Sequence, residues 1–275
     1  MTATAATASK ERSTGLLSLF TLGAMPSRAV RGGLQVASLL VPLLLWTAIA
    51  SPGLVDEKFL PSPQAVLRSL ASMAESGILF QDIVASTGRV FGGFLLATLL
   101  AVPIGICMGV YPAICALCEP LIAMLRYMPA AAFIPLLIIY LGIGEEPKIA
   151  LIFLGTIYFN ILMVMDAVKF VPKELIETTL TLGGRSRQVL VQVVARYSLP
   201  SIIDTLRINI ATSWNLVVVA ELVAAEVGLG KRIQLAQRFF RTDQIFAELI
   251  VLGLIGFGID MGFRLLLRLS CKWAV

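Results

Sequence analysis

The chain has no histidine and few charged residues, and both shortages narrow the chemistry that it can perform. Asp, Glu, Lys and Arg make up 14% of its 275 residues, whereas a soluble domain carries roughly a quarter. Histidine is the usual general base and a common metal ligand near neutral pH. Without it, no convincing pair of nucleophile and base can be assembled, so an enzyme is the least favoured class.

Two short motifs suggest metal or phosphate chemistry, but neither has the context that such a site needs. Cys115-x-x-Cys118 is a lone pair in apolar surroundings, where packing is the simpler interpretation. The loop Val227–Arg232 matches a phosphate loop only weakly, because Ala225 and Arg232 replace the first glycine and the Ser or Thr. We therefore expect no metal site, no cofactor and no catalytic residue on this chain.

Hydrophobic residues are abundant: they form 58% of the chain, and the mean hydropathy is +0.90. A helix needs roughly 20 residues to cross about 30 Å of hydrocarbon. Six stretches are long enough, and the alternating pattern of strands is missing. The sequence predicts an all-α, polytopic membrane protein with spans near 34–50, 89–111, 117–141, 149–168, 201–222 and 246–269.

Basic residues predict which side of the membrane each loop occupies, since short cytoplasmic loops carry an excess of Lys and Arg. They concentrate in the N-terminal tail, in the segment 169–200 and at the C-terminal end. With six spans these regions share one side, which we assign to the cytoplasm together with both termini. We also predict a disordered or amphipathic tail over 1–33 and one transmembrane domain over 34–275.

The loop 227–244 breaks this charge pattern. It should lie outside, yet it holds four basic residues against a single Asp243. Either the first spans fix the orientation and the charges are tolerated, or they form a collar at the outer mouth that attracts an anionic substrate or an acidic binding protein. This outer basic collar consists of Lys231, Arg232, Arg238 and Arg241.

The segment 169–200 is a polar island between two apolar runs. Pro172 suits the first turn of a helix, Gly183-Gly184 can take the left-handed conformation that ends one, and Ser186 can cap a second. The pattern predicts a helix, a glycine elbow and a second helix, projecting into water as a rigid basic knob. Its candidate contact residues for a soluble partner are Pro172, Glu174, Glu177, Thr178, Thr179, Gly183, Gly184, Arg185, Ser186 and Arg187.

The same segment resembles the Glu-Ala-Ala loop of permease subunits of bacterial ABC importers. The resemblance rests on Glu177 six residues before Gly183 and on Leu199-Pro200 after an apolar run. It departs from the family pattern at Thr178-Thr179, where alanines are common, and at Ala195-Arg196, where a first Leu-Pro pair often stands. The resemblance implies that the knob is a coupling helix seated in a cleft of an ATPase subunit.

Further motifs are similar to the nitrate, sulfonate, taurine and bicarbonate branch of these permeases. They are Arg126–Pro129, Phe133–Leu136, Leu141–Glu145, Val217–Glu221 and the turn Gly228–Gly230. The resemblance implies import of a small anion by alternating access at the bacterial inner membrane. It also implies a second permease copy, two ATPase subunits that hold ATP and Mg, and a solute-binding protein outside.

Polar residues within spans are costly and so mark candidates for the translocation pathway. Arg126 could anchor a small anion, or it could pair with Glu119 or reach the interface. The polar stripe of the fifth span could line a pore or bond to neighbouring helices, and Arg207 could pair with Asp260. The pathway candidates are Arg126, Tyr127, Asn160, Asn209, Ser213, Trp214 and Asn215.

Besides the less favoured membrane-embedded enzyme, one other functional interpretation stays open. A secondary transporter or channel would need no ATPase partner, but such proteins more often show repeated halves, and none is clear here. The net charge of +5 follows from the membrane topology and gives no support for nucleic-acid binding.

Gly105-x-x-x-Gly109 can bring two helices close, but we attribute it to chance at this glycine content.

Overall fold

The computed structural model describes residues 27–50 and 55–273, and these residues form helices and turns without a strand. These described residues divide into two units, one that ends at Glu57 and one that begins at Lys58. In the first unit, α1 (Arg28–Ala50) begins six residues before the predicted start of the first span at 34. The predicted tail up to residue 26 lies outside the described residues.

The second unit contains the remaining helices. A 3-10 turn (Ala130–Phe133) leads into the fifth helix, and a π-helical segment (Val189–Val194) joins the eighth helix to the ninth. The helices are α2 (Pro63–Glu75), α3 (Ile78–Val110), α4 (Pro112–Leu125), α5 (Ile134–Leu141), α6 (Glu146–Lys169), α7 (Lys173–Thr181), α8 (Ser186–Gln188), α9 (Ala195–Ala224), α10 (Leu229–Arg238) and α11 (Thr242–Ser270).

Among the described residues, five helical stretches are long and apolar enough to cross a membrane, or six if one bent pair counts as a span. The all-α prediction is confirmed, but the third span is not one continuous helix over 117–141. It breaks into α4 and α5, which meet at 81°. Pro129 explains the break, because it has an extended backbone with ψ at 120° and cannot donate to the preceding turn.

Helix α6 lies at the centre of the second unit, between α3 and α9. Three glycines let α3 approach it closely: a Cβ atom built on Gly93 would lie 2.7 Å from the carbonyl oxygen of Ile149, and one on Gly105 would lie 2.8 Å from that of Ile161. One on Gly109 would crowd Val168. The Gly105-x-x-x-Gly109 pattern is therefore a packing motif, and its attribution to chance is wrong.

The long helices bring two sets of short elements to opposite ends of the unit. At one end, the α7 end, the last turns of α3 and α6 meet the segment 171–194 around a small valine cluster. At the other, the α10 end, α10 packs against the start of α3, the start of α11 and the end of α9. Each end carries a separate group of candidate functional residues.

Candidate functional site

The knob at the α7 end is exposed. None of the residues of α7 is buried, and Leu182, which follows the helix, is 83% exposed. A shallow groove of about 400 Å³ runs along its outer face, lined by Glu174, Glu177, Thr178, Thr181 and Leu182. The outward side of the knob thus offers acidic, hydroxyl and apolar groups to a partner.

The glycine elbow has the left-handed conformation that the sequence predicts. Gly183 has φ at +85°, its N–H donates to the carbonyl oxygen of Leu180 at 3.0 Å, and the N–H of Gly184 donates to that of Thr179 at 2.9 Å. These two bonds are the Schellman pattern that closes a helix C-terminus. A Cβ atom on Gly184 would lie 2.7 Å from the Thr179 carbonyl oxygen, so both glycines are needed.

The second helix of the knob starts differently from the prediction. Arg185, not Ser186, stands at the N-cap, and its N–H donates to the side-chain oxygen of Gln188 at 2.8 Å. The expectation that Ser186 caps this helix is wrong, because Gln188 satisfies the free N–H from inside the first turn. The helix then widens into the π segment Val189–Val194, the kind of irregularity that often lies at functional sites.

The inner side of the knob is fixed to two spans. Ile176 of α7 packs against a cluster of Val168, Val171, Val189 and Val194, and all four valines are buried. These valines belong to the end of α6, the turn after it and the start of the α9 span. The inner side of α7 is therefore packed on the end of α6 and on the segment that leads into α9.

Two of the pathway candidates bind each other. The side-chain amide of Asn209 donates to that of Asn160 at 2.7 Å, and both residues are buried between α6 and α9. Ser213, one turn from Asn209, is also buried, and its hydroxyl has no hydrogen-bond partner. The polar stripe of α9 thus joins helices over this part of its length.

Arg126 and Tyr127 lie at the bend between α4 and α5. The guanidinium of Arg126 lies 5.0 Å from the centre of the Tyr127 ring, and Tyr127 is 76% exposed. Glu119 accepts a hydrogen bond from the Cys115 thiol at 3.1 Å instead of pairing with Arg126. The break therefore presents a cation and an aromatic ring together, outside the buried core.

Trp214 and Asn215 line an open cleft of about 500 Å³ between α9 and α11. Arg207 and Asp260 stand at one end of it, with Arg207 Nη1 3.5 Å from Asp260 Oδ1. The sequence anticipates this ion pair. Of the seven pathway candidates, Trp214 and Asn215 are the two that share this cleft.

The α10 end holds a network of buried charges that the sequence reading missed. At its centre, Arg89 of α3 donates from Nη1 to Glu221 at 2.6 Å and to the Val227 carbonyl oxygen at 2.7 Å, and from Nη2 to Glu145 at 2.8 Å. Lys148 also donates to Glu145 at 2.8 Å. We call the whole set the charge cluster: Asp82, Ser86, Arg89, Glu145, Lys148, Glu221 and Arg232.

The charge cluster also holds the N-terminus of α10. Three successive backbone N–H groups point at side chains of α3 and α9: that of Gly228 donates to Asp82 at 2.8 Å, that of Leu229 to Ser86 at 2.9 Å, and that of Gly230 to Glu221 at 2.8 Å. Acceptors placed there satisfy the free donors of a helix start. The sequence does carry a signal for this cluster, since the charged residues Asp82 and Arg89 interrupt an apolar run.

One collar residue belongs to this cluster. Arg232 donates from Nε to Asp82 at 2.8 Å, so it has a structural partner. Lys231 contacts Gln234 at 3.2 Å, and Arg241 lies 3.8 Å from Asp243. Arg238 is exposed at the end of α10. The collar therefore reduces to three side chains, and its role stays a prediction.

The stability that the charge cluster contributes depends on pH through the carboxyl group of Glu145. The guanidinium of Arg89, followed by Lys148, lowers the pKa of this carboxyl to about 2. Its pKa in the unfolded chain is roughly 4.3, so its stabilising contribution is present above that pH and is lost as the pH falls towards 2.

We expect the melting temperature in detergent to drop between pH 5 and pH 3 by up to about 4 °C more in the wild type than in Glu145→Gln. Equal drops in both proteins would contradict this.

Residues 101–269 match the family described as "Binding-protein-dependent transport system inner membrane component". The chain belongs to this family. Its permease region therefore includes the bend, the knob, the cleft and α10, whereas Asp82, Ser86 and Arg89 lie before the matched residues. The multi-span fold and the inner-membrane setting of the family agree with the helices described here.

Two relatives and one solved structure support the assignment. The permease is 35% identical over 245 residues to the taurine transport system permease protein TauC of Escherichia coli K12, covering 87% of this chain and 89% of that protein. It is 32% identical to the putative aliphatic sulfonates transport permease protein SsuC of Bacillus subtilis 168, covering 85% and 84%. An inward-facing structure of the MetNI methionine ABC transporter has the same fold, with a TM-score of 0.62, 18% identity, and coverage of 72% of this chain and 98% of that one.

Proposed function

We propose that this permease is the membrane-spanning subunit of an ATP-driven importer that moves a small organic sulfonate by alternating access. The family membership supports the transport role, and the relatives named for taurine and aliphatic sulfonates support the solute class. Nitrate and bicarbonate, which the wider branch also suggests, have less support. The partners in this proposal are two ATPase subunits with ATP and Mg, a second permease copy and a binding protein outside.

The exposed knob fixed to two spans carries the proposal. A helix of nine residues is about 14 Å long, so α7 can transmit a partner's movement as a short rigid body. Its outer face is free for an ATPase, and its inner face is packed on the valine cluster of α6 and α9. A coupling element needs one side that contacts the partner and another side that packs against the spans it moves.

Helix α9 can carry that movement across the membrane. It has 30 residues, about 45 Å at 1.5 Å per residue, and runs from the π segment beside the knob towards Glu221 in the charge cluster. In the proposed orientation the knob and both termini are cytoplasmic, and the charge cluster faces the outside. ATP-driven motion at one end would then change the packing at the other, where the remaining collar residues would meet the binding protein.

A co-purification experiment tests the ATPase partnership. The chain would be purified in mild detergent as wild type and as Glu177→Arg, and co-purifying ATPase would be identified by mass spectrometry and measured by ATP hydrolysis. We expect an ATPase subunit to co-purify with the wild type. The amount that co-purifies with Glu177→Arg should be at least about tenfold lower, since charge reversal at an interface costs several kcal/mol.

Glu75→Arg is the matched control, because it reverses an exposed helical carboxylate on α2, outside the knob. This variant should retain the ATPase. If no ATPase accompanied the wild type, and solute uptake into liposomes proceeded without ATP, the protein would be a secondary transporter or channel and the coupling proposal would be wrong.

A further inference from the structure

The cleft between α9 and α11 lies in the middle of both helices. Its walls reach from Leu249 to Asp260 on α11 and from Arg207 to Val218 on α9. Arg207 is twelve residues into α9, about 18 Å along its axis. The cleft volume of about 500 Å³ falls within the usual range for small-molecule sites, roughly 300–1,000 Å³.

Small residues create this cleft on the α11 side. A Cβ atom on Gly253 would meet nothing within 4 Å, and one on Gly256 would meet only Cδ1 of Trp214 at 3.9 Å. Opposite these glycines stand Trp214 and Ile210, which are buried against the core on their other sides. The middle of the cleft is thus apolar and has room for an aliphatic group against the indole.

A donor without an acceptor and a weakly held cation stand in the same cleft. The indole Nε1 of Trp214 is buried without a hydrogen-bond partner. Nε of Arg207 lies 3.3 Å from Asp204 but makes no well-formed hydrogen bond. Buried donors of this kind are rare in folded proteins and call for an explanation. An anion with several acceptor oxygens is the chemical group that would satisfy both.

The carboxylates beside Arg207 hold it loosely. Its Nε lies 3.3 Å from Asp204 and its Nη1 lies 3.5 Å from Asp260, longer than the roughly 2.7–2.9 Å of a strong charge-assisted hydrogen bond. Asp260 has a closer partner in Arg264, whose Nε donates to it at 2.7 Å. Asp260 would therefore keep its ion pair with Arg264 if its contact with Arg207 were broken.

We propose that this cleft binds the transported solute, with a sulfonate group on Arg207 and an aliphatic group along Trp214 and the glycines of α11. This assignment rests on the proposed function and adds the site and its selectivity. The sulfonate displaces Asp260 from Arg207 and accepts hydrogen bonds from the Arg207 guanidinium and from Nε1 of Trp214. The apolar middle of the cleft favours organic sulfonates over inorganic anions such as nitrate, which have no group to bury there.

Direct binding tests the cleft without the partner subunits. Three tryptophans are present, so replacing Trp46 and Trp273 by Phe leaves Trp214 as the only indole, and its fluorescence reports on the cleft. The purified protein in nanodiscs would be titrated with ethanesulfonate and with nitrate. We expect ethanesulfonate to change the fluorescence saturably and nitrate to bind at least about tenfold more weakly.

Two variants separate solute binding from a structural role of the Arg207–Asp260 pair. Arg207→Gln should raise the Kd for ethanesulfonate at least about tenfold, since a charged donor is lost. Asp260→Asn should lower it, because the competing carboxylate is gone. Arg268→Gln removes one positive charge from the exposed last turn of α11 and should leave Kd unchanged.

Each outcome supports or overturns the cleft assignment. It is wrong if folded wild-type protein shows no saturable response, if Arg207→Gln binds like the wild type, or if Asp260→Asn weakens binding as much as Arg207→Gln does. ATP-driven uptake of ethanesulfonate with an unresponsive cleft would leave the proposed function standing and reject this site. Saturable binding together with ATP-independent uptake would support this binding site and reject the proposed function.

Discussion

Replacement of Arg89 by Met is expected to lower the free energy of unfolding by about 3–5 kcal/mol, the effect of breaking a buried ion pair from one side. Arg89 is 5% exposed and Glu221 is fully buried, so the change leaves a carboxylate without its cation in the protein interior. For a chain of this size the melting temperature in detergent should fall by about 6–20 °C.

Two comparisons make this result specific to the buried charge. Glu221→Gln in the Arg89→Met background should recover part of the loss, because the double variant no longer buries an unpaired charge. Arg232→Met should have a smaller effect, since Arg232 is 26% exposed and its partner Asp82 also accepts from Gly228. A melting temperature of Arg89→Met within error of the wild type would show that the pair contributes little.

Replacement of Gly183 by Val is expected to uncouple ATP hydrolysis from transport, reducing solute moved per ATP at least about tenfold. The left-handed conformation at Gly183 costs an L-residue about 1–2 kcal/mol, and more when the side chain is β-branched. The elbow would shift, and α7 would lose its position on the valine cluster. Uptake and ATP hydrolysis would be measured together in proteoliposomes containing the assembled transporter.

Gly142→Val is the matched control for this experiment. Gly142 has φ at +80°, and a Cβ atom there would meet nothing within 4 Å, as at Gly183. Both substitutions place a β-branched residue at a positive φ, one in the knob and one after α5. The strain at Gly142 is at least as large, because its ψ is −170°. We expect Gly142→Val to retain its ratio of transport to hydrolysis, whereas equal loss in both variants would point to general destabilisation.

Much of the fold could be predicted because its signals are local in the chain. Apolar runs define the spans by length, and Gly183 after a helical pattern defines the elbow. The third span shows the limit of this approach. Its overall hydropathy predicts one span, but the backbone at Pro129 turns it by 81°, a direction that hydropathy does not encode.

The charge cluster could not be assembled from the sequence because its partners are far apart along the chain. Asp82 and Gly228 are 146 positions apart, and Arg89 and Glu145 are 56 apart. Intramembrane charge identifies each residue as unusual, but pairing requires the packing of α3 against α6 and α9. The same packing shows why Asn160 and Asn209 meet each other while Trp214 and Asn215 line a cleft.

The charge cluster has a consequence for building chimaeras of such permeases. The start of α10 depends on Asp82 and Ser86 from α3, and Glu221 of α9 depends on Arg89. A crossover placed between α3 and α9 would join halves whose buried acids and bases had not been selected together. Grafts of the α10 end should therefore carry residues 78–90, 145–148 and 220–232 together, although more than a hundred residues separate the first range from the last.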